Sequence, residues 1–171
     1  MQNKEDKLKK EFTSQLEYDS KKGKLYWKIS RGLAKKGDEV GYVRKEGYRC
    51  IVFRCKPYRV HRIIWLLEKG YIPKKQLDHI NHDKDDNRIE NLREVTHQEN
   101  GKNQKLSIRN RSGFNGVSFD TTNKRWVASI GHNNKVLFLG RFDTIKEAVD
   151  VVSIKKKELC FHKNHGLKIN K

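Results

Sequence analysis

The chain has no apolar run near the length of a membrane span, and its 171 residues include only two prolines, three cysteines and one methionine. A helix that crosses a bilayer needs about 20 consecutive apolar residues, so a membrane protein is excluded. The opening residues Met1–Asp6 also lack the apolar stretch of a secretion signal. The expectation is a cytoplasmic protein. Cys50, Cys55 and Cys160 form no C-x-x-C pair and are odd in number, which predicts free thiols in a reducing compartment and no structural zinc site. So few prolines, with apolar residues patterned throughout, argue against disorder.

Acidic residues are also scarce: 21 Asp and Glu stand against 39 Lys and Arg, for a net charge of +18. Their distribution is more telling than the total. Residues 1–60 carry 17 basic against 8 acidic side chains and residues 105–171 carry 14 against 5, while residues 61–104 balance at 8 and 8. Two basic arms therefore flank a neutral middle. A polyanion would be gripped at both ends by counterion release, and the middle keeps the carboxylates that a cation needs. Hydrophobic and charged residues each make up 35% of the chain, so its cores are small.

Leu8, Phe12 and Leu16 recur at helical spacing and predict one amphipathic helix over Glu5–Leu16. Short strand-like runs follow at Lys24–Ile29, Val40–Arg44, Tyr48–Arg54 and Tyr58–Val60, punctuated by Gly23, Gly37, Gly41 and Gly47. These read as one small antiparallel sheet, on which Arg44, Lys45, Arg49, Arg54, Lys56 and Arg59 could line a groove. His61–Lys69 has helical apolar spacing and stops at Gly70, a C-cap residue. His61, at the start of that helix, is expected to cap or pack.

The chemistry concentrates in Leu77-Asp78-His79-Ile80 and the residues after it. Gln76–Ile80 reads as a strand, Asn81–Asn87 as a polar turn, Ile89–Val95 as a second extended piece, and Thr96-His97-Gln98-Glu99 as a capping box opening a helix that carries Asn100. Asp78 and the amide oxygen of Asn100 are hard ligands for a divalent cation. His79 is the side chain suited to deprotonate a water beside a phosphodiester. Asn91 falls too early to share the helix with Asn100, and is expected to hold the loop or the His79 ring by hydrogen bonds. The series Asp83-x-Asp85-x-Asn87 with Glu94 imitates a calcium loop, but Arg88 stands where such a loop needs glycine. His97 is a weaker alternative to Asn100 as ligand, because it lies on another part of the helix.

With these residues in place, Val60–Asn103 ("VHRIIW…LDHINHDKDDNRIENLREVTHQENGKN") resembles the HNH nucleases of the phage and intron homing-endonuclease type, which have a ββα-metal fold. The resemblance implies that His79 and Asn91 are catalytic and that Asp78 and Asn100 bind metal. Asn100 replaces the family's final His, which makes this an H-N-N variant. That substitution suits Mg²⁺ or Mn²⁺ and argues against a softer ion.

From Phe114 the pattern changes to three strands, with turns at Thr122-Asn123 and Asn133-Asn134, and a helix after Asp143-Thr144. Trp126, Ala128 and Ile130 alternate with Val127, Ser129 and Gly131, giving a core face and an open face. Through Gly116-Val117, Trp126-x-Ala128-x-Ile130, Leu139-Gly140-x-Phe142-x-Thr144 and Glu147-Ala148 this arm resembles the apetala-two (ethylene-response-factor) DNA-binding domain. By position, the resemblance puts Asn115, Ser118, Asp120, Ser129, Val136 and Phe138 toward the bases. The plant domains place mostly arginine and tryptophan there, so base preference is not inherited. Trp126 is expected in the core. Arg109, Arg111, Lys124, Arg125 and Lys135 are expected to grip phosphates.

The expected protein is thus α+β in three parts: a basic DNA-binding sheet region (1–60), a nuclease unit (61–104), and a basic linker with a DNA reader (105–171). Its expected activity is metal-dependent cleavage of double-stranded DNA at a specific site, as a monomer, encoded by a phage or bacterium. A DNA-binding regulator with a decayed centre and an RNA-acting nuclease are the alternatives.

Overall fold

The computed structural model describes residues 4–167. The outermost residues of the first and third expected parts, 1–3 and 168–171, lie outside the described residues. The architecture is α+β, built from small antiparallel sheets and short helices, and it divides into two compact units, Met1–His97 and Gln98–Lys171. The residues expected as an N-terminal sheet region and most of those expected as a nuclease fall within the first unit. No helix among the described residues is long and apolar enough to cross a membrane.

The first unit opens with helix α1 (Lys4–Gln15), which starts and ends one residue before the expected span, because Leu16 already belongs to strand β1 (Leu16–Asp19). The periodicity of the helix ran straight into that strand and hid it. β1 pairs antiparallel with β2 (Lys24–Trp27), so Leu16 serves both patterns and faces Trp27. The turn between them is set locally. The Asp19 carboxylate accepts hydrogen bonds from the Lys21 and Lys22 N–H groups at 3.0 Å each, and Gly23 turns back in the left-handed region at φ +67°.

A second sheet follows: β3 (Tyr42–Val43), β4 (Arg49–Phe53) and β5 (Lys56–Arg59), with β4 in the centre. The single N-terminal sheet expected from sequence is therefore two separate ones. The glycine-punctuated runs do not show which strands pair, since pairing depends on contacts distant in sequence.

Helix α2 (Val60–Lys69) closes on Gly70, whose left-handed φ of 84° lets its N–H reach the Leu66 carbonyl. Val60, Ile63 and Ile64 pack into the main core with Phe12, Leu16, Leu25, Trp27, Val40, Ile51 and Phe53. The Phe12 and Phe53 rings meet at 5.0 Å. Trp65, on a different face, instead joins Leu77, Leu92 and Ile89. Those last residues belong to the hairpin of β6 (Gln76–His79) and β7 (Leu92–Val95), in which Asp78 lies opposite Arg93 and His79 opposite Leu92. The second extended piece is shorter than expected, because Ile89–Asn91 forms a 3₁₀ turn before β7.

Helix α3 (His97–Gly101) follows Thr96. In the second unit the three expected strands are β8 (Val117–Asp120), β9 (Arg125–His132) and β10 (Lys135–Phe142), which form one sheet with β9 central. Helix α4 (Ile145–Glu158) starts with a capping box between Thr144 and Glu147, and Ala148 and Val152 cover Val117 and Ala128. Trp126 packs against that core, as expected.

Gly23 ties the fold to the site. A Cβ there would lie 2.4 Å from the Arg88 nitrogen and 2.8 Å from the Asn87 carbonyl carbon, at a φ that L side chains rarely adopt. Gly23→Ala is expected to destabilise the protein by about 2 kcal/mol or more. A urea melt checks this, and an unchanged midpoint would show that the hairpin does not press on the loop.

Candidate active site

The β6–β7 hairpin places Asp78 and His79 at the end of one strand and Asn91 just ahead of the other, and all three are buried. Between the strands runs Ile80–Arg88, a polar loop in which the side chains of Asn81, Asp83, Lys84, Asp86 and Asn87 bond to backbone. Asn91 is its centre. The Asn91 Oδ1 accepts from the Asn81 N–H at 3.0 Å, and its Nδ2 donates to Asn81 Oδ1 and to the Asp86 carbonyl at 2.9 and 2.8 Å. Arg88 grips Asp86 with two further bonds and holds that carboxyl below its ordinary range. Of the two tasks foreseen for Asn91, these bonds carry out the first, holding the loop. Bound this closely, the loop keeps one conformation at the mouth of the strands.

The His79 ring is oriented by another residue. Its Nε2 lies within hydrogen-bond distance of Asn87 Oδ1, at 3.1 Å. Tyr48 and His61 flank the ring at centroid distances of 5.9 and 5.1 Å, His61 edge-on. Burial lowers the pKa of His79, opposed by the Asn87 hydrogen bond and by the carboxylates of Asp78, Asp83 and Asp86. A depressed pKa keeps the imidazole neutral at physiological pH, the form in which it can take a proton.

Asp78 accepts a two-pronged contact from Arg93 on the opposite strand, Nε and Nη2 reaching Oδ2 at 3.0 and 2.8 Å. This fork locks the carboxylate rotamer and offsets the cost of its burial. Asn100 stands on α3 in the second unit. A carboxylate oxygen is a donor that a hard dication takes, so Asp78 by itself fits such an ion. Among the described residues no three His, Cys, Asp or Glu side chains gather as a cage.

Asn87, Tyr48, Arg93 and Tyr18 are site residues that sequence reasoning missed. Asn87 read as one more polar turn residue. Tyr18, on β1, and Tyr48, just ahead of β4, lie over 30 residues away and carry no local signal. His61 was expected to pack, and it does. It is 2% exposed, and its Nδ1 has no hydrogen-bond partner among the described residues.

The residues expected to meet DNA are spread over both units. Arg49 is committed to Asp85, by two bonds of 2.8 Å, and to Glu39 at 2.9 Å. Arg54 pairs with Glu11 at 3.0 Å, and exposed Arg59 lies over the Tyr48 ring at 4.5 Å. In the second unit Arg109, Arg111, Lys124 and Lys135 are exposed, and Arg125 pairs with Asp143 at 2.9 Å. Strand register puts Ser118, Val127, Ser129 and Phe138 on one face of the sheet. Asn115 instead accepts from His165 Nε2 at 3.1 Å, and Asp120 shapes the Thr122-Asn123 turn.

Residues 58–102 match the HNH endonuclease family model. No curated protein matches the chain. A solved structure described as "DNA binding and cleavage by the HNH homing endonuclease I-HmuI" aligns at 29% identity and a TM-score of 0.41, covering 53% of this chain and 51% of that one. This chain thus spans about half the length of that relative.

Burial lowers the His61 pKa to about 3, helped by repulsion from His79, Arg59 and Arg62. Because the unfolded chain binds this proton near pH 6.5, the stability is complete above that value and is lost as pH falls toward 3. His61 is expected to contribute about 1.4 kcal/mol per pH unit to the slope of stability against pH inside that window, so denaturant unfolding should show a shallower slope in His61→Leu. Equal slopes in both proteins would refute a buried neutral His61.

Proposed function

We propose that the protein is a metal-dependent endonuclease that hydrolyses phosphodiester bonds in double-stranded DNA at a specific site, in the manner of a homing endonuclease. The observation that carries this reading is the buried His79, held by a hydrogen bond at the mouth of a rigid loop within the segment that matches the HNH family model. A general base needs that combination: a fixed ring, a free-energy preference for the neutral form, and a reacting group brought to it.

In this reading His79 takes the proton of the attacking water. Asn91 keeps the loop in its working shape, and Arg93 keeps Asp78 in one rotamer. Asp78 and Asn100 would hold the divalent ion, Mg²⁺ or Mn²⁺, which when bound neutralises charge on the phosphate and the leaving 3′ oxygen. HNH nucleases generally use such ions, and the all-oxygen donor set of this pair favours a hard one.

The second unit is proposed as the DNA reader, an apetala-two-like module. One face of its sheet is covered by α4, and the other presents Ser118, Ser129 and Phe138 beside exposed lysines and arginines. Arg109, Arg111, Lys124, Arg125 and Lys135 are proposed to hold phosphates, as are Arg54 and Arg59 in the first unit. The net charge of +18 supports a polyanionic substrate, with affinity that falls steeply as salt rises.

With Mg²⁺ and a library of duplexes labelled on each strand, the protein is expected to cut at a preferred position. His79→Ala should slow cutting by about 10²–10⁴-fold while binding, read by gel shift, stays intact. Cutting by this variant at the wild-type rate would remove His79 from the chemistry. Asn100→Ala is expected to raise the Mg²⁺ concentration needed for half-maximal cutting, and an unchanged requirement would remove Asn100 from the metal set.

A further inference from the structure

Asn87 is 1% exposed, the most deeply buried of the polar side chains among the described residues, and its amide oxygen, amide nitrogen and backbone carbonyl are all engaged. Its Nδ2 donates to the Asp85 carbonyl at 3.1 Å. Its own carbonyl accepts the hydroxyl of Tyr18, 3.2 Å away on β1, and that hydroxyl in turn accepts from the Ile89 N–H at 3.1 Å. Asp85 is itself pinned from β4 by the two-pronged contact of Arg49. Two strands of the N-terminal sheets therefore clamp the residue that touches His79.

This arrangement decides a proton position. A backbone carbonyl only accepts, so the amide group facing Asp85 must be the Nδ2 end of Asn87. The end facing His79 is then the oxygen, which also only accepts. Nε2 of His79 must carry the hydrogen, and in a neutral imidazole the lone pair falls on Nδ1.

We propose that Asn87 is the positioning residue for His79: it selects the Nε2–H tautomer and presents Nδ1 as the atom that takes the proton, while Tyr18 and Arg49 hold Asn87 in place. The N-terminal region thereby acts on the chemistry through the loop, in addition to any contact with DNA. The inference rests on His79 being the base. The tautomer itself is a property of the free protein and is read without DNA or metal.

The test is ¹⁵N-histidine NMR of the full chain at a pH where His79 is neutral, its signal assigned by its loss in His79→Ala. The expected pattern is a protonated, pyrrole-type Nε2 and a pyridine-type Nδ1. The opposite pattern would overturn the proposal whatever the activity. Asn87→Leu is expected to mix the tautomers and lower kcat about tenfold or more, with KM for the duplex little changed. Asn87→Asp, which keeps an acceptor beside Nε2, is expected to keep the tautomer and recover much of the rate. If Asn87→Leu cuts as fast as wild type, the positioning role falls while the nuclease reading stands. If wild type shows the expected tautomer yet cuts no duplex, the nuclease reading falls and takes the catalytic role of Asn87 with it.

Discussion

Helix α2 has to satisfy two cores at once, and the first unit depends on that constraint. Val60, Ile63 and Ile64 fill the core made by α1 and the two N-terminal sheets. His61 and Trp65, four residues apart and so on one face, point to the β6–β7 hairpin instead. A two-stranded hairpin alone is marginal in water. Trp65 against Leu77 and Leu92 gives it a surface to pack on, and His61 against His79 brings the same helix to the reacting group. Losing this helix would unmake both the core and the site.

The polar loop shows how a site can be rigid with almost no apolar material. Asn81, Asp86, Asn87, Arg88 and Asn91 bond to one another and to backbone, which satisfies groups that burial would otherwise strand. Its outer side is anchored by Arg49 on Asp85 and by Lys84, whose ammonium donates to the Glu46 carbonyl at 2.9 Å. Each anchor joins segments more than 30 residues apart. The loop is therefore stiff only in the folded unit.

This use of charge qualifies the meaning of +18. Several arginines face carboxylates: Arg49 with Asp85 and Glu39, Arg93 with Asp78, Arg125 with Asp143. The first two are largely buried and shape the site. The third is exposed, and such a pair contributes little to stability. A basic composition thus serves two ends, polyanion attraction over the surface and carboxylate control inside.

The sequence by itself determined which polar residues gather at the end of the hairpin and the type of nearly every element. Asp78, His79 and Asn91 stand where their spacing put them, because local hydrogen bonding and strand alternation act over a few residues. The three strands and helix of the second unit were readable for the same reason, since their apolar residues recur at periods of two and of three to four. Only the tertiary structure decided that β1 exists, that the N-terminal strands form two sheets, and that Asn87 rather than Asn91 orients His79. Those features are made by pairs such as Tyr18 with Asn87 and Arg49 with Asp85, 69 and 36 residues apart. Contacts at that separation leave no period in the chain, because their partners meet only after the helices and sheets have packed.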